Sequence, residues 1–591
     1  VFTAYFGNLL ASVFFGELHT DYFGYSTNHS YFRTQHRWRF TQPQVIIKLA
    51  ACDKPEHLLN ITNLFLSMER LVPRITLFLL LSTLCFPTFA LAQTSEAPTY
   101  LAQHQQEEQD TTDLITAPET QHEDGHHEDG HHEDGSHESG HGGEHGEEYA
   151  SAPAWTVIPF VLLLLMIATG PLFYEHFWHK NYPLLAVLLA VIVVSYYVFI
   201  LGNTGDPVHA LFEYLQFIAL LSSLFIASGG ILIKVDRKAT PIINSTILLI
   251  GSAISNLIGT TGASMLLIRP YIRLNQHRIR SYHIIFFIFM VSNVGGALTP
   301  IGDPPLFLGF LRGVPFFWTI SHVVMEWLFV LVVLVAVFFV IDKRNRTTTN
   351  GDETPMEYSG RISIVGKRNF LWLAIVIGAV FIDPNKIEWL PHINYHGTRF
   401  SFVRELIMFS VAFFSFRLAK KEAIQGNEFS FEPIREVAFI FIGIFGTMMP
   451  ALELVGDFAK SEAGRELITH NTLYWGTGIL SGFLDNAPTY LNFLAAAMAS
   501  VGASVNSSQD VLAFSQGEYA DSIMYLTAIS VAAVFFGAMS YIGNGPNFMV
   551  KSIAEQVGIR MPSFFGYIIR FALPILLPIL VLVWLIFFAF Q

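Results

Sequence analysis

From about residue 154 onward the sequence is a succession of long apolar runs, each close to the ~20 residues a helix needs to cross a bilayer. In hydrocarbon every backbone N–H and C=O must be paired within its own segment, so such runs are expected as helices. Only 14% of the chain is charged and its mean hydropathy is +0.45, whereas soluble proteins carry about a quarter charged residues. The expected class is an all-α polytopic membrane protein. A soluble enzyme, a nucleic-acid-binding module and a disulfide scaffold are excluded. The two cysteines, Cys52 and Cys85, lie outside the apolar body, which leaves no disulfide, iron–sulfur or thiol chemistry there. The formal charge of −13 says little about partners, because much of the acid sits in one short tract.

Upstream of the body the sequence changes character at Met68. Residues 1–67 are aromatic-rich without a helical or strand period. Glu69-Arg70-Leu71-Val72-Pro73-Arg74 is basic, Ile75 to Ala90 is apolar, and Ala90-Leu91-Ala92 has the form of a cleavage site. This is the order of a signal peptide over 68–92. Met68 is the expected start and 1–67 an upstream extension; the alternative is a genuine N-terminal domain with an anchor at 75–92. Cleavage would put residue 93 outside the cytoplasm, as for a protein of the bacterial inner membrane.

Residues 93–150 are polar, lack a core-forming period and are expected to be disordered. They hold a tandem repeat, His122-Glu123-Asp124-Gly125-His126, His127-Glu128-Asp129-Gly130-His131, then His132-Glu133-Asp134-Gly135, followed by His137, His141 and His145. Imidazole and carboxylate at this density form a weak multidentate ligand for a divalent metal such as zinc, nickel or copper. They also titrate between about pH 5 and 8. A low-complexity linker is the other reading.

The body, 151–591, divides into apolar segments at about 154–174, 182–201, 208–233, 240–268, 282–311, 316–341, 369–383, 401–418, 434–456, 471–500, 522–549 and 563–590. Lys and Arg collect in cytoplasmic loops. Lys234, Arg237 and Lys238 precede segment 240–268, and Arg269, Arg273, Arg278 and Arg280 follow it. That segment starts and ends on one face, so a re-entrant hairpin is expected. Segment 471–500 starts from the opposite face and is followed by a loop, 501–521, without Lys or Arg; it is expected as a second hairpin of opposite sense. Two such hairpins imply two inverted repeats, about 205–341 and 430–590, the architecture of secondary transporters.

Each half also carries a glycine- and proline-broken span. Ser292-Asn293-Val294-Gly295-Gly296-Ala297-Leu298-Thr299-Pro300-Ile301-Gly302-Asp303-Pro304-Pro305 answers Ser540-Tyr541-Ile542-Gly543-Asn544-Gly545-Pro546-Asn547. Non-helical backbone in a membrane is tolerated only in protein or along a polar cavity, so the breaks and hairpin tips mark a common site. Asn256, Thr260, Thr261, Asn293, Thr299, Asn486, Thr489, Asn544 and Asn547 supply neutral oxygens there. Asp303 and Asp485 supply carboxylates, which are costly at bilayer depth and kept mainly for work. A carboxyl holds either a proton or a cation, and binding of one expels the other. Helix capping is the structural alternative for both acids. Glu213, Glu436 and Glu453, near span ends, are expected to be solvated. His322 and Glu326, four apart on one helix face, suggest a proton relay or a mutually satisfied pair.

On Gly295 through Asp303 and on Asp485-Asn486 with Pro488, the sequence resembles NhaD-type sodium/proton antiporters of the ion-transporter superfamily, over about 205–590. The resemblance implies two inverted repeats, each with a hairpin and a discontinuous helix, sodium and proton binding at Asp303 and Asp485, and a homodimer. It departs at the first hairpin, where Ser255-Asn256 stands for the usual Asp-Asn. With Thr260-Thr261 this is similar to the carboxylate symporters of the superfamily, and Gly259 through Ser264 fits a branch labelled as citrate transporters. The leading expectation is therefore sodium/proton antiport, with sodium- or metal-coupled citrate or dicarboxylate symport as the alternative. No resident cofactor, enzymatic activity or nucleic-acid partner is expected; the partners are the lipid bilayer and a small cation or carboxylate. A metal sensor built around the histidine tract is a third, separate class.

Overall fold

The computed structural model describes residues 151–345, 361–383, 387, 389–395 and 398–591. The expectations for the upstream extension, the signal peptide and the histidine tract fall outside these residues.

The described chain is helical almost throughout. It runs through α1 (Ile158–Phe173), α2 (Glu175–Phe199), α3 (Gly205–Gly229), α4 (Pro241–Leu274), α5 (Ser281–Met290), α6 (Pro304–Arg312) and α7 (Trp318–Arg344). There follow α8 (Asn369–Val380), α9 (Val403–Arg417), α10 (Lys421–Gly426), α11 (Glu432–Lys460), α12 (Glu462–Leu467), α13 (His470–Phe483) and α14 (Asn486–Ser500). The last are α15 (Ser508–Gln516), α16 (Ser522–Phe536), α17 (Gly545–Gln556) and α18 (Phe564–Phe587), the latter with a π-helical stretch at Ile568–Leu576 around Pro574. Among the described residues, eight helices are long and apolar enough to cross a membrane. Phe199, Leu184 and Ile242 are exposed at 80%, 68% and 67%, apolar surface of the kind a bilayer covers.

Each apolar segment read from the sequence is matched by a helix or a helix pair. The strands were not anticipated: β1 (Leu232–Val235) pairs antiparallel with β2 (Ile362–Val365), and β3 (Ile393–Tyr395) with β4 (Thr398–Phe400). The β1–β2 pair has a consequence, because it joins two of the Lys/Arg-rich loops. Lys234 also pairs with Glu422 at 2.6 Å, Arg273 donates to the Gly426 carbonyl at 2.7 Å, and Asn427 donates to the carbonyls of Gly229 and Ile231. The loops read as cytoplasmic thus lie together on one basic face.

Helix α4 is continuous by hydrogen-bond pattern but broken at Gly259, whose φ of 78° and ψ of 154° are non-helical. Thirty-one straight helical residues would span about 46 Å. Instead, Asn244 near the start of α4 and Asn275 just past its end exchange two side-chain hydrogen bonds, both 2.9 Å. The chain doubles back at Gly259, where a positive φ suits glycine. Buried Asp342, at the end of α7, ties the same corner together: it accepts from Asn244, Arg278 and Tyr282 at 3.0, 2.8 and 2.6 Å. The pair α13 and α14 is separated by Leu484-Asp485 alone, and a Cβ on Gly476 would stand 3.0 Å from the Phe493 ring.

Element order repeats. A long helix (α3, α11), a broken pair (α4; α13–α14), two half-helices around a break (α5–α6; α16–α17) and a long helix (α7, α18) occur twice. The two breaks are built alike. Each chain crosses itself at two glycines six residues apart, Gly296 with Gly302 and Gly537 with Gly543, with backbones too close for a Cβ. Hydroxyls of α4 and α13 brace them: Ser255 donates to the Val291 carbonyl at 2.8 Å, and Ser481 to the Ala533 carbonyl at 2.6 Å.

Candidate functional site

Four half-helices begin at the centre of this arrangement: the second half of α4 at Thr260, then α6 behind Asp303, α14 behind Asp485 and α17 behind Asn544. Helix N-termini carry unpaired N–H groups and a partial positive charge, so together they stabilise negative charge at one point. Asp303 occupies that point and is 1% exposed. Its Oδ1 accepts from the Thr260 hydroxyl at 2.8 Å and from the Asn544 amide at 2.9 Å; its Oδ2 accepts from the Asn486 amide at 2.7 Å. One carboxylate therefore gathers α4, α14 and both broken spans.

Asp303 stands at the N-cap of α6 yet makes no side-chain cap bond. The reason is local sequence. A cap accepts from the N–H of the second or third helical residue; Pro305 has none at the second position, and the Leu306 N–H at the third goes to the Asp303 carbonyl. The carboxylate is left free for donors from elsewhere. Asp485 differs: its Oδ1 accepts from the Ala487 N–H at 3.0 Å and caps α14. Capping thus describes Asp485 and not Asp303.

Asp485 is half-buried and lines a cavity of about 380 Å³ with Thr261 and Asn544. The cavity extends to Arg269, Glu428, Glu432 and Gln556, the last three exposed on the basic face. Its carboxylates are Glu175, Glu428, Glu432, Glu436 and Asp485, against Arg269 and His179. Beside Asp303, the Asn486 Oδ1 is buried without a hydrogen-bond partner among the described residues. Such an orphan acceptor next to a carboxylate is a ready cation ligand. Among the described residues, the three hydrogen-bond partners of Asp303 are neutral and none of the ion pairs involves it.

The remaining oxygens assemble the site without touching Asp303. Asn293 donates to Asn547 Oδ1 at 2.7 Å, and Asn547 donates to the carbonyls of Gly537 and Ser540, locking one break onto the other. Asn256 Oδ1 accepts from the Leu298 N–H and Thr299 donates to the Asn256 carbonyl, clipping the first hairpin to its break. Thr489 donates one turn back to the Asp485 carbonyl. Ser255-Asn256 lies a turn before the fold-back, so its departure from Asp-Asn falls outside the cluster around Asp303.

Three expectations are corrected. His322 bonds the Trp318 carbonyl at 2.8 Å and stacks on its indole, while buried Glu326 leaves Oε2 unpartnered, so neither relay nor pair forms between them. Glu213 is 5% exposed and paired with Arg312, not solvated. Glu453 accepts from the Ala152 N–H and Tyr197 hydroxyl. Among the described residues no group of three or more His, Cys, Asp or Glu is placed to hold a metal.

Helices long and apolar enough to span a membrane, interrupted around buried polar groups beside a cavity, point to the class of multi-pass membrane transporters. The family described as "Putative citrate transport" matches residues 149–588, and the chain belongs to that family. No curated protein matches the chain.

Proposed function

We propose that the protein exchanges a small monovalent cation, sodium in the first instance, for protons by alternating access. The observation that carries this reading is Asp303, buried and wrapped by three neutral donors without a basic partner. A carboxylate so placed needs a proton or a cation to complete it. Asp485, half-buried on the cavity, is the second acid of the exchange, and Asn486 Oδ1 a further ligand. The excess of carboxylates along the cavity favours cations and disfavours a free tricarboxylate. The fold-back of α4, the α13–α14 pair and the repeated element order support two re-entrant hairpins in inverted repeats, as in NhaD-type antiporters. In this reading the basic face is cytoplasmic, the membrane is the bacterial inner membrane, and the working unit is a homodimer.

Membership of a citrate-transport family favours a second reading, sodium- or metal-coupled citrate uptake, in which the four helix N-termini hold substrate carboxylate. Proteoliposomes separate the two. With an imposed pH gradient, sodium or lithium collapses the gradient in the native protein, fails to do so in Asp303→Asn, and does so only at higher concentration in Asp485→Asn. Citrate uptake that persists in both variants contradicts exchange.

A further inference from the structure

The face opposite the basic one has its own cavity, of about 480 Å³, and neither Asp303 nor Asp485 lines it. At its edge Glu213 of α3 meets Arg312 of α6 in a two-point ion pair: Arg312 Nε to Glu213 Oε1 is 2.6 Å, and Nη2 to Oε2 is 2.9 Å. Both side chains are 6% exposed. Arg312 Nη1 also donates to Asn506 Oδ1, in the connection from α14 to α15. The connectivity matters. Arg312 closes the half-helix whose other end is Asp303, and Asn506 follows the half-helix capped by Asp485. The trio therefore fastens the far ends of both acid-bearing half-helices, one of them to α3.

We propose that Glu213, Arg312 and Asn506 form the latch that keeps the site shut toward this face while the route to the basic face is open. The proposal rests on the alternating-access reading above. A buried ion pair adds little net stability, since desolvation cancels much of the attraction. What it does impose is one arrangement of the elements it joins. In the open arrangement proposed, α6 and the Asn506 connection part from α3, and both charges, which line the 480 Å³ cavity, meet water. Without the Glu213 charge, the guanidinium is buried without a counter-charge, and the arrangement that hydrates it gains population. These are positioning residues; they set which face reaches the acids.

The apolar body contains no cysteine, so single reporters are clean. In a full-length chain with Cys52→Ser and Cys85→Ser, Met549→Cys reports the cavity on the basic face and Ala499→Cys the opposite cavity. Each is labelled in membrane vesicles with an impermeant maleimide applied from its own face. Glu213→Gln is expected to lower the Met549→Cys rate, relative to Ala499→Cys, by about threefold or more, and Asn506→Ala by less. A merely structural role lowers stability and leaves that ratio unchanged. An unchanged ratio in both variants overturns the latch; if Glu213→Gln does not fold, Asn506→Ala decides alone. Labelling is independent of the ion carried, so failure here leaves the exchange reading to the gradient assay, and the converse holds.

Discussion

Asp303 and Asp485 each stand at the N-cap of a half-helix entering the centre, the first on a broken span and the second at the α13–α14 turn, and they are used differently. Pro305 removes the second-position N–H, the Leu306 N–H serves the Asp303 carbonyl, and the Asp303 carboxylate is enclosed by Thr260, Asn486 and Asn544. Asp485, followed by Asn486 and Ala487, keeps its cap and faces the cavity. The lesson is that the residue at the second helical position bears on whether an acid serves its own helix or a shared site. In the proposed exchange this divides the labour: Asp303 is the acid shared by the two broken spans, and Asp485 the acid on the cavity.

The largest effect expected is from Asp303→Asn. It removes the charge that three donors converge on, and each hydrogen bond to a charged group contributes about 1.5–3 kcal/mol. Cation-coupled flux in proteoliposomes should fall by about 100-fold or more. Next is Gly302→Ala, whose Cβ would overlap the Gly296 carbonyl; the cost is about 3 kcal/mol, read as a lost or sharply lowered melting temperature in detergent. Gly545→Ala, with open space around it, should melt like the native protein. Asp485→Asn should raise the KM for the cation about tenfold while leaving measurable flux, because the inner cluster stays intact. Equal KM and kcat changes in the two Asp variants would break the division drawn here. Thr260→Val deletes one donor to Asp303 and should cost about tenfold in flux. His322→Gln, remote from Glu326 in bonding, should change flux less than about twofold.

Much of this was legible in advance, for a physical reason. Apolar runs set the helices, basic loops set which ends share a face, and paired Gly/Pro breaks set where the backbone opens. The strands were missed because four-residue pairings such as β1–β2 depend on loops 130 residues apart meeting at one face. Of the nine neutral oxygens expected at the site, Thr260, Asn486 and Asn544 touch Asp303 and Thr261 lines the cavity, while Asn256, Thr299, Asn293, Asn547 and Thr489 hold the scaffold. Which way a residue near a break points depends on a dihedral such as that of Gly259, and helical period says nothing past that residue. Glu213 and Arg312, 99 residues apart, have no local spacing that announces a pair. Pro305 in the sequence rules out the cap bond that Asp485 makes, from the second helical N–H, but leaves the third open.

The central claim is that one buried carboxyl, Asp303, holds either a proton or the transported cation. Sodium added to the detergent-purified protein in weakly buffered solution, followed with a pH electrode, tests this without vesicles. The account predicts proton release on sodium addition by the native protein, none from Asp303→Asn, and release at higher sodium from Asp485→Asn. Equal release from native protein and Asp303→Asn, or none from the native protein across the pH range where it transports, would contradict it.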